Sequence, residues 1–251
     1  MEAKIITGMI IMILMFHPVA PALSDTGRTI DHSRYAVLLD RYVKSGVVDY
    51  AGFKKEEDRL DHYLETLQSI EPESLARDET FAFYVNTYNA WTIKLILLHY
   101  PGIKSIKDIG SFFKSPWKKK FVRINGRIIS LDEIEHGILR PVFRDPRVHF
   151  AVNCASKSCP PLLNKPYTGK NLNQQLDDSA SRFINDPGFN RLEGQTLYVS
   201  KIFKWFSEDF KRDVAGFILR YAKGDLKAAM EKNKGALKIK YLDYDWSLNG
   251  L

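Results

Sequence analysis

The run FAFYVNTYNAWTIKLILLHY, residues 81–100, restricts the fold more than any other stretch of the chain. Its apolar side chains go round the whole circumference of a helix instead of forming one stripe. Such a helix is stable only when other elements cover every side of it. The rest of the chain must therefore be built around it, and Pro101-Gly102 closes it sharply. Asn86 and Asn89 stand three positions apart on one face. A buried amide without partners costs roughly 1–3 kcal/mol. These amides either tie the helix to neighbouring backbone or serve a site. In a site, Asn89 would orient a catalytic group or donate to an oxyanion, and Asn86 would bind.

The flanks predict mixed structure. HSRYAVLLDRYVKSG, KKEEDRLDHYLETLQSI, NLNQQLDDSASRFIND and KRDVAGFILRYA read as helices. KKFVRINGRIISL carries Asn125-Gly126 between two β-rich runs and predicts a hairpin. RVHFAVN and TLYVS alternate like strands, and ALKIKYLDYDWSL is partly strand-like. No repeat, linker or low-complexity segment interrupts them. The expected architecture is α+β: a helix-rich single domain over residues 25–251, around a small mixed or antiparallel sheet. A content of 45% hydrophobic and 27% charged residues is enough for such a core.

Residues 1–24 are expected to stand apart. Lys4 precedes IITGMIIMILMF, and small residues follow in HPVAPALS. This reads as a secretory signal cleaved after Ala22 or Ser24, its apolar run short of the roughly 20 residues that span a bilayer. The protein is expected outside the cytoplasm, where thiols tend to pair.

SLDEIEHGILRP offers a capping box, Ser130 with Glu133, and Pro141 is expected to end the helix. At roughly 100° per residue, Leu131, Ile134, Ile138 and Leu139 form an apolar arc with Glu135 inside it. His136 falls at its edge. A carboxylate in that position is either a buried ion pair or a group poised in a cleft, with His136 as companion base.

HFAVNCASKSCPPL, residues 149–162, holds the only two cysteines. As a strand, it would turn Phe150 and Val152 to the core and His149 and Asn153 the other way, leading into Cys154. Four readings of Cys154 and Cys159 stay open. They form a disulfide whose loop is too short to staple the fold. Cys154 is a nucleophile with His149 or His136 as base. They are two inert thiols, or they bind metal with a spacing that matches no strong zinc signature. HExxH, GxSxG and a glycine-rich phosphate loop are lacking, so neither a metal nor a cofactor is expected. Trp117 and Lys118 lie in the basic, aromatic stretch FFKSPWKKKFVR. With a net charge of +7 this patch is a candidate contact for an anionic polymer, or for weak attraction to a membrane surface. Nucleic acid is not expected as a partner.

The blocks GVVDYAGF, FAFYVNTYNAWTI, SLDEIEHGILR, HFAVNCASKSCPPL, SKIFKWFSEDF and YDWSLN occur in that order. This series resembles the domain of unknown function 547 family, over nearly the whole chain after residue 24. The resemblance implies an exported bacterial protein, periplasmic or extracellular, without the coiled coils of plant members. It implies recurrent positions at Asn86, Tyr88, Asn89, Glu135, His136, His149, Cys154, Cys159 and Pro160, and no activity. The Cys and His set is similar in type to papain-like and transglutaminase-like enzymes, with the histidines ahead of the cysteine, in a permuted order.

Two functions follow as expectations. One is a cysteine-dependent hydrolase or acyl transferase on an amide or envelope peptide. Cys154 would attack, His149 or His136 would act as base, and Glu135 or Asn89 would orient that base. The other is a non-catalytic periplasmic binding or interaction module with a Cys154–Cys159 disulfide. Asn86, Asn153, Cys159, Trp117 and Lys118 are the candidate binding residues.

Overall fold

A computed structural model describes residues 27–110 and 115–250. The signal-like residues 1–24, and Phe113 and Lys114 of the basic patch, lie outside the described residues. Helix α1 (Ser33–Tyr42) packs on α2 (Tyr50–Lys55) and α3 (Glu57–Gln68), and these two pack on α4 (Arg77–Leu97). Asp78 and Glu79 in the first turn of α4 and Lys94 in the last match the helix dipole at both ends. Lys94 Nζ lies 2.7 Å from Glu57 and 2.6 Å from Asp61 on α3.

Most of α4 is buried, including both amides. Asn86 Nδ2 donates to the Tyr167 carbonyl at 2.8 Å, and its Oδ1 accepts from the Tyr167 N–H at 2.9 Å. Asn89 Nδ2 donates to the Ala151 carbonyl at 2.9 Å, and its Oδ1 accepts from the Asn153 N–H at 2.8 Å. Each amide thus holds a distant loop at two points and satisfies its own burial requirement.

Strands β1 (Val43–Lys44) and β2 (Val47–Val48) form a short ladder. β3 (Val122–Ile124) and β4 (Arg127–Ile129) form the expected hairpin, with Asn125 and Gly126 at φ +43° and +70°. The second half of the chain runs α5 (Leu172–Ile184), β5 (Asn190–Glu193), β6 (Thr196–Val199), α6 (Ile202–Trp205), α7 (Val214–Tyr221), α8 (Gly224–Lys232) and β7 (Lys238–Tyr241). β6 pairs antiparallel with β5 and parallel with β7. The fold is α+β, helix-rich with small sheets, as the sequence predicts. Its interior has two centres. One surrounds α4. The other is built of phenylalanines, with the ring of Phe210 4.9 Å from Phe203 and 4.8 Å from Phe217.

Two local expectations are corrected. RVHFAVN is not a strand: Pro146–Phe150 is a 3-10 helix. Asp145 Oδ1 accepts from the Arg147 N–H at 2.9 Å, and Pro146 takes the first helical position. That Asp-Pro pair is a helix-start signal, and it overrides five residues of alternation. His149 and Asn153 are consequently buried instead of facing outward. Pro141 does not end its helix either. The capping box forms as expected, Ser130 N–H to Glu133 at 2.8 Å and Glu133 N–H to Ser130 Oγ at 3.1 Å. The helix then runs as a π-helix over Glu133–Phe143 with Pro141 inside it. In this wider turn the proline ring escapes the clash with the carbonyl four residues back that breaks an α-helix.

Candidate functional site

A cavity of about 200 Å³ opens where the two interior centres meet. Tyr88 and Val152 reach it from the α4 side, and Ile202 and Phe206 from the phenylalanine side.

One wall is the segment after the 3-10 helix. Asn153 Oδ1 accepts from the Ala155 N–H at 2.9 Å, and Asn153 Nδ2 donates to the Pro160 carbonyl at 2.9 Å. The loop turns through Ala155 at φ +61°, a left-handed conformation that costs a residue with a Cβ about 1 kcal/mol. Cys154 and Cys159 close it as a disulfide, their Cα atoms 6.1 Å apart. The chain end clamps it: Lys157 N–H donates to the Ser247 carbonyl at 2.8 Å, and Asn249 Nδ2 to Asn153 Oδ1 at 3.2 Å. The clamp lays Tyr244 over both sulfurs, its hydroxyl 3.2 Å from Cys154 Sγ and 3.4 Å from Cys159 Sγ. Burial, with the Glu135 carboxylate adding to it, keeps the Tyr244 hydroxyl protonated far above its ordinary range.

His149 lies buried at the cavity wall. Its ring stacks on Phe206 at 4.0 Å, and Nε2 donates to Asp209 Oδ2 at 2.6 Å. A carboxylate only accepts, so Nε2 carries a proton, and in the neutral tautomer with that proton the lone pair lies on Nδ1. That Nδ1 is buried and has no hydrogen-bond partner among the described residues. Asp209 also accepts from Arg140 Nε at 2.6 Å and Nη2 at 3.1 Å. The His149 hydrogen bond first, and Arg140 after it, hold the Asp209 carboxyl far below the usual carboxylate range.

The π-helix forms another wall through Asp132, Glu135 and His136. Each residue in a π-helix advances by less than the α-helical angle, so the arc drawn on an α-helical wheel shifts. Glu135 leaves the apolar stripe and stands half-buried at the cavity. Burial first, then this carboxylate, keeps the neighbouring Tyr88 hydroxyl protonated. His136 is exposed, and its Nδ1 accepts from Arg140 Nη1 at 3.0 Å.

The cavity therefore gathers Cys154, Cys159, His149, His136, Glu135 and Trp117. Asn86, Asn89, Asn153 and Lys118 do not line it. Asn89 and Asn153 act behind it by fixing the loop backbone. His149 is oriented by Asp209, a residue that sequence reasoning missed, and not by Glu135 or Asn89. Trp205, Phe206, Tyr244 and Trp246 were missed as well. Their only signal was the presence of the SKIFKWFSEDF and YDWSLN blocks among the recurring motifs. Among the described residues, no three His, Cys, Asp or Glu side chains are grouped to hold a metal ion.

Fold and cleft together define a helix-rich α+β domain with a disulfide in the wall of an aromatic cleft. Residues 72–184 match the model of a family described as "Protein of unknown function, DUF547", and over that segment the chain is similar to the family. The matched segment holds Tyr88, Glu135, His149 and both cysteines, while Asp209, Tyr244 and Trp246 lie beyond it. No curated protein and no solved structure matches the chain.

Proposed function

We propose that the cleft is the active site of a cysteine-dependent acyl-transfer enzyme, a hydrolase or transferase acting on an amide. The observation that carries this reading is the His149–Asp209 pair, with His149 Nδ1 unpartnered in the wall that also carries Cys154. In this reading a dithiol reductant first exchanges with the Cys154–Cys159 disulfide, leaving both cysteines as thiols and the reductant as its own disulfide. Cys154 passes its proton to His149 Nδ1, and the thiolate attacks the amide carbonyl. The C–N bond breaks, the leaving amine takes the proton from His149, and a thioester remains on Cys154. Water or a second amine then attacks the thioester and returns the thiol. Asp209 keeps the imidazole in the required tautomer and supports its charged form. The likeness to papain-like and transglutaminase-like enzymes rests on this residue set, in the permuted chain order His149, Cys154, Asp209.

p-Nitrophenyl acetate tests the reading on the full chain. After treatment with dithiothreitol, one equivalent of p-nitrophenol should appear in a burst, with an acetyl group on Cys154 detected by mass spectrometry. Cys154→Ala should remove the burst, and Asp209→Asn should slow it about 10²-fold or more. Equal bursts from the reduced wild type and Cys154→Ala would sink it. The disulfide itself favours a second reading, a non-catalytic binding module stapled at its cleft. No acylation in the fully reduced protein would support that reading.

We also propose that the chain is exported to the periplasm or beyond the cell, as Lys4 and the apolar run after it suggest. N-terminal sequencing of protein recovered from an exporting bacterial host should begin at residue 23 or 25. A start at Met1 would argue against export with cleavage.

A further inference from the structure

The chain carries a net charge of +7, yet the cleft wall presents Asp132 and Glu135 and, among the described residues, no lysine or arginine. Cations along the π-helix are engaged elsewhere. Lys120 Nζ lies 3.5 Å from Glu133, and Arg140 grips Asp209. His136 faces Asp132, with Nε2 and Oδ1 3.9 Å apart. Glu135 is left half-buried without a counter-ion among the described residues, which disfavours it unless a cation arrives.

Three tryptophans stand at the same cavity. The ring centroid of Trp246 is 5.7 Å from that of Trp117 and 5.7 Å from that of Trp205. Trp205 remains 46% exposed, so its ring is open to a ligand. The faces of indole rings are electron-rich and attract ammonium groups. Trp246 already does so within the protein, with Lys107 Nζ 3.7 Å from its centroid. The cavity volume is about 200 Å³, below the roughly 300–1,000 Å³ of sites that enclose a whole small molecule. It is sized for one headgroup or side chain.

We propose that the cleft recognises its substrate through an ammonium group, seated between the Glu135 carboxylate and the tryptophan faces. This deepens the acyl-transfer reading and rests on it for the word substrate. The substrate class is then an amide or peptide with a free amino or quaternary ammonium group near the reacting carbonyl. Asp132 and Glu135 repel the phosphates or carboxylates of an anionic polymer, so such a polymer does not enter.

Tryptophan fluorescence of the full chain, with its disulfide intact, provides the test. The probes are choline and 3,3-dimethylbutanol, which has the same shape without the charge. Choline should bind about tenfold more tightly than the alcohol. Glu135→Gln should bring the two within about twofold, whereas Glu193→Gln on β5, with the same change in net charge, should leave the preference intact. Trp205→Ala should weaken choline binding about fivefold while Glu135 is still present. Equal affinity of the wild type for both probes, or a choline preference that survives Glu135→Gln in a folded protein, would overturn the proposal. The titration involves no turnover. Its failure removes the ammonium assignment alone, and the acyl-transfer reading falls only with the Cys154 burst experiment.

Discussion

Two polar clusters in this molecule use the same residue types, and one is complete where the other is open. In the first, His32 Nδ1 meets the Tyr63 hydroxyl at 2.7 Å, and its Nε2 lies 3.4 Å from Asn86 Nδ2. Glu79 beside it accepts from the Ile30 N–H at 3.0 Å and the Gly169 N–H at 2.7 Å. A Cβ on Gly169 would come within 2.6 Å of that carboxylate, so the contact itself requires glycine. In the second cluster, among the described residues, His149 has one nitrogen on Asp209 and no partner for the other, and Glu135 has no cation. Only the second opens onto the aromatic cavity. A satisfied buried cluster contributes stability and order. An unsatisfied one at a cavity wall retains capacity for a ligand or a proton.

That contrast can be broken by experiment. The largest effect is expected at Glu79→Ala, which strands two backbone N–H groups and should cost about 3 kcal/mol or more. At roughly 2–4 °C per kcal/mol for a chain of this size, the melting temperature should fall by about 10 °C. A loss under about 1 kcal/mol in urea titration would mean that the cluster is not the structural one.

A smaller effect concerns acid. Burial, opposed by Glu79 and Asp31, lowers the pKa of His32. The folded protein therefore binds that proton less readily than the unfolded chain does. Its contribution to stability is complete above the unfolded value, near 6.5, and is lost as the pH falls below it. Melting curves should drop between pH 7 and pH 5, and His32→Gln should flatten that part of the slope. An unchanged slope would exclude His32 as the acid-sensitive group.

The smallest effect is expected at Glu135→Gln, within about 0.5 kcal/mol of wild type, because the amide oxygen can still accept from the Tyr88 hydroxyl. A loss comparable to that of Glu79→Ala would show that Glu135 belongs with the structural cluster.

Much of the fold was legible in the sequence because the signals were local. Asn125-Gly126 required its hairpin, Ser130 and Glu133 their capping box, and the all-round apolar run its burial as α4. The 3-10 helix at Pro146–Phe150 was misread because five alternating residues weigh less than an Asp-Pro start. The site was half legible. Cys154, His149 and Glu135 stood out by residue type in unusual contexts. Asp209 did not, since an aspartate in SEDF has no local mark. It lies 60 positions from His149 and acquires its role only across the gap.

The sequence by itself determined the elements: one buried central helix, the hairpin, the short cysteine loop and the residues of the cleft's first wall. Those follow from periodicity, turn chemistry and capping, which act over a few neighbours. The tertiary structure decided which buried polar groups are complete and which are open. It also decided that the loop is clamped by residues 247–249, and that the aromatic rings share their cavity with Glu135, a carboxylate without a counter-ion among the described residues. Satisfaction of a hydrogen bond or a charge depends on what arrives from distant parts of the chain, and only packing brings those parts together.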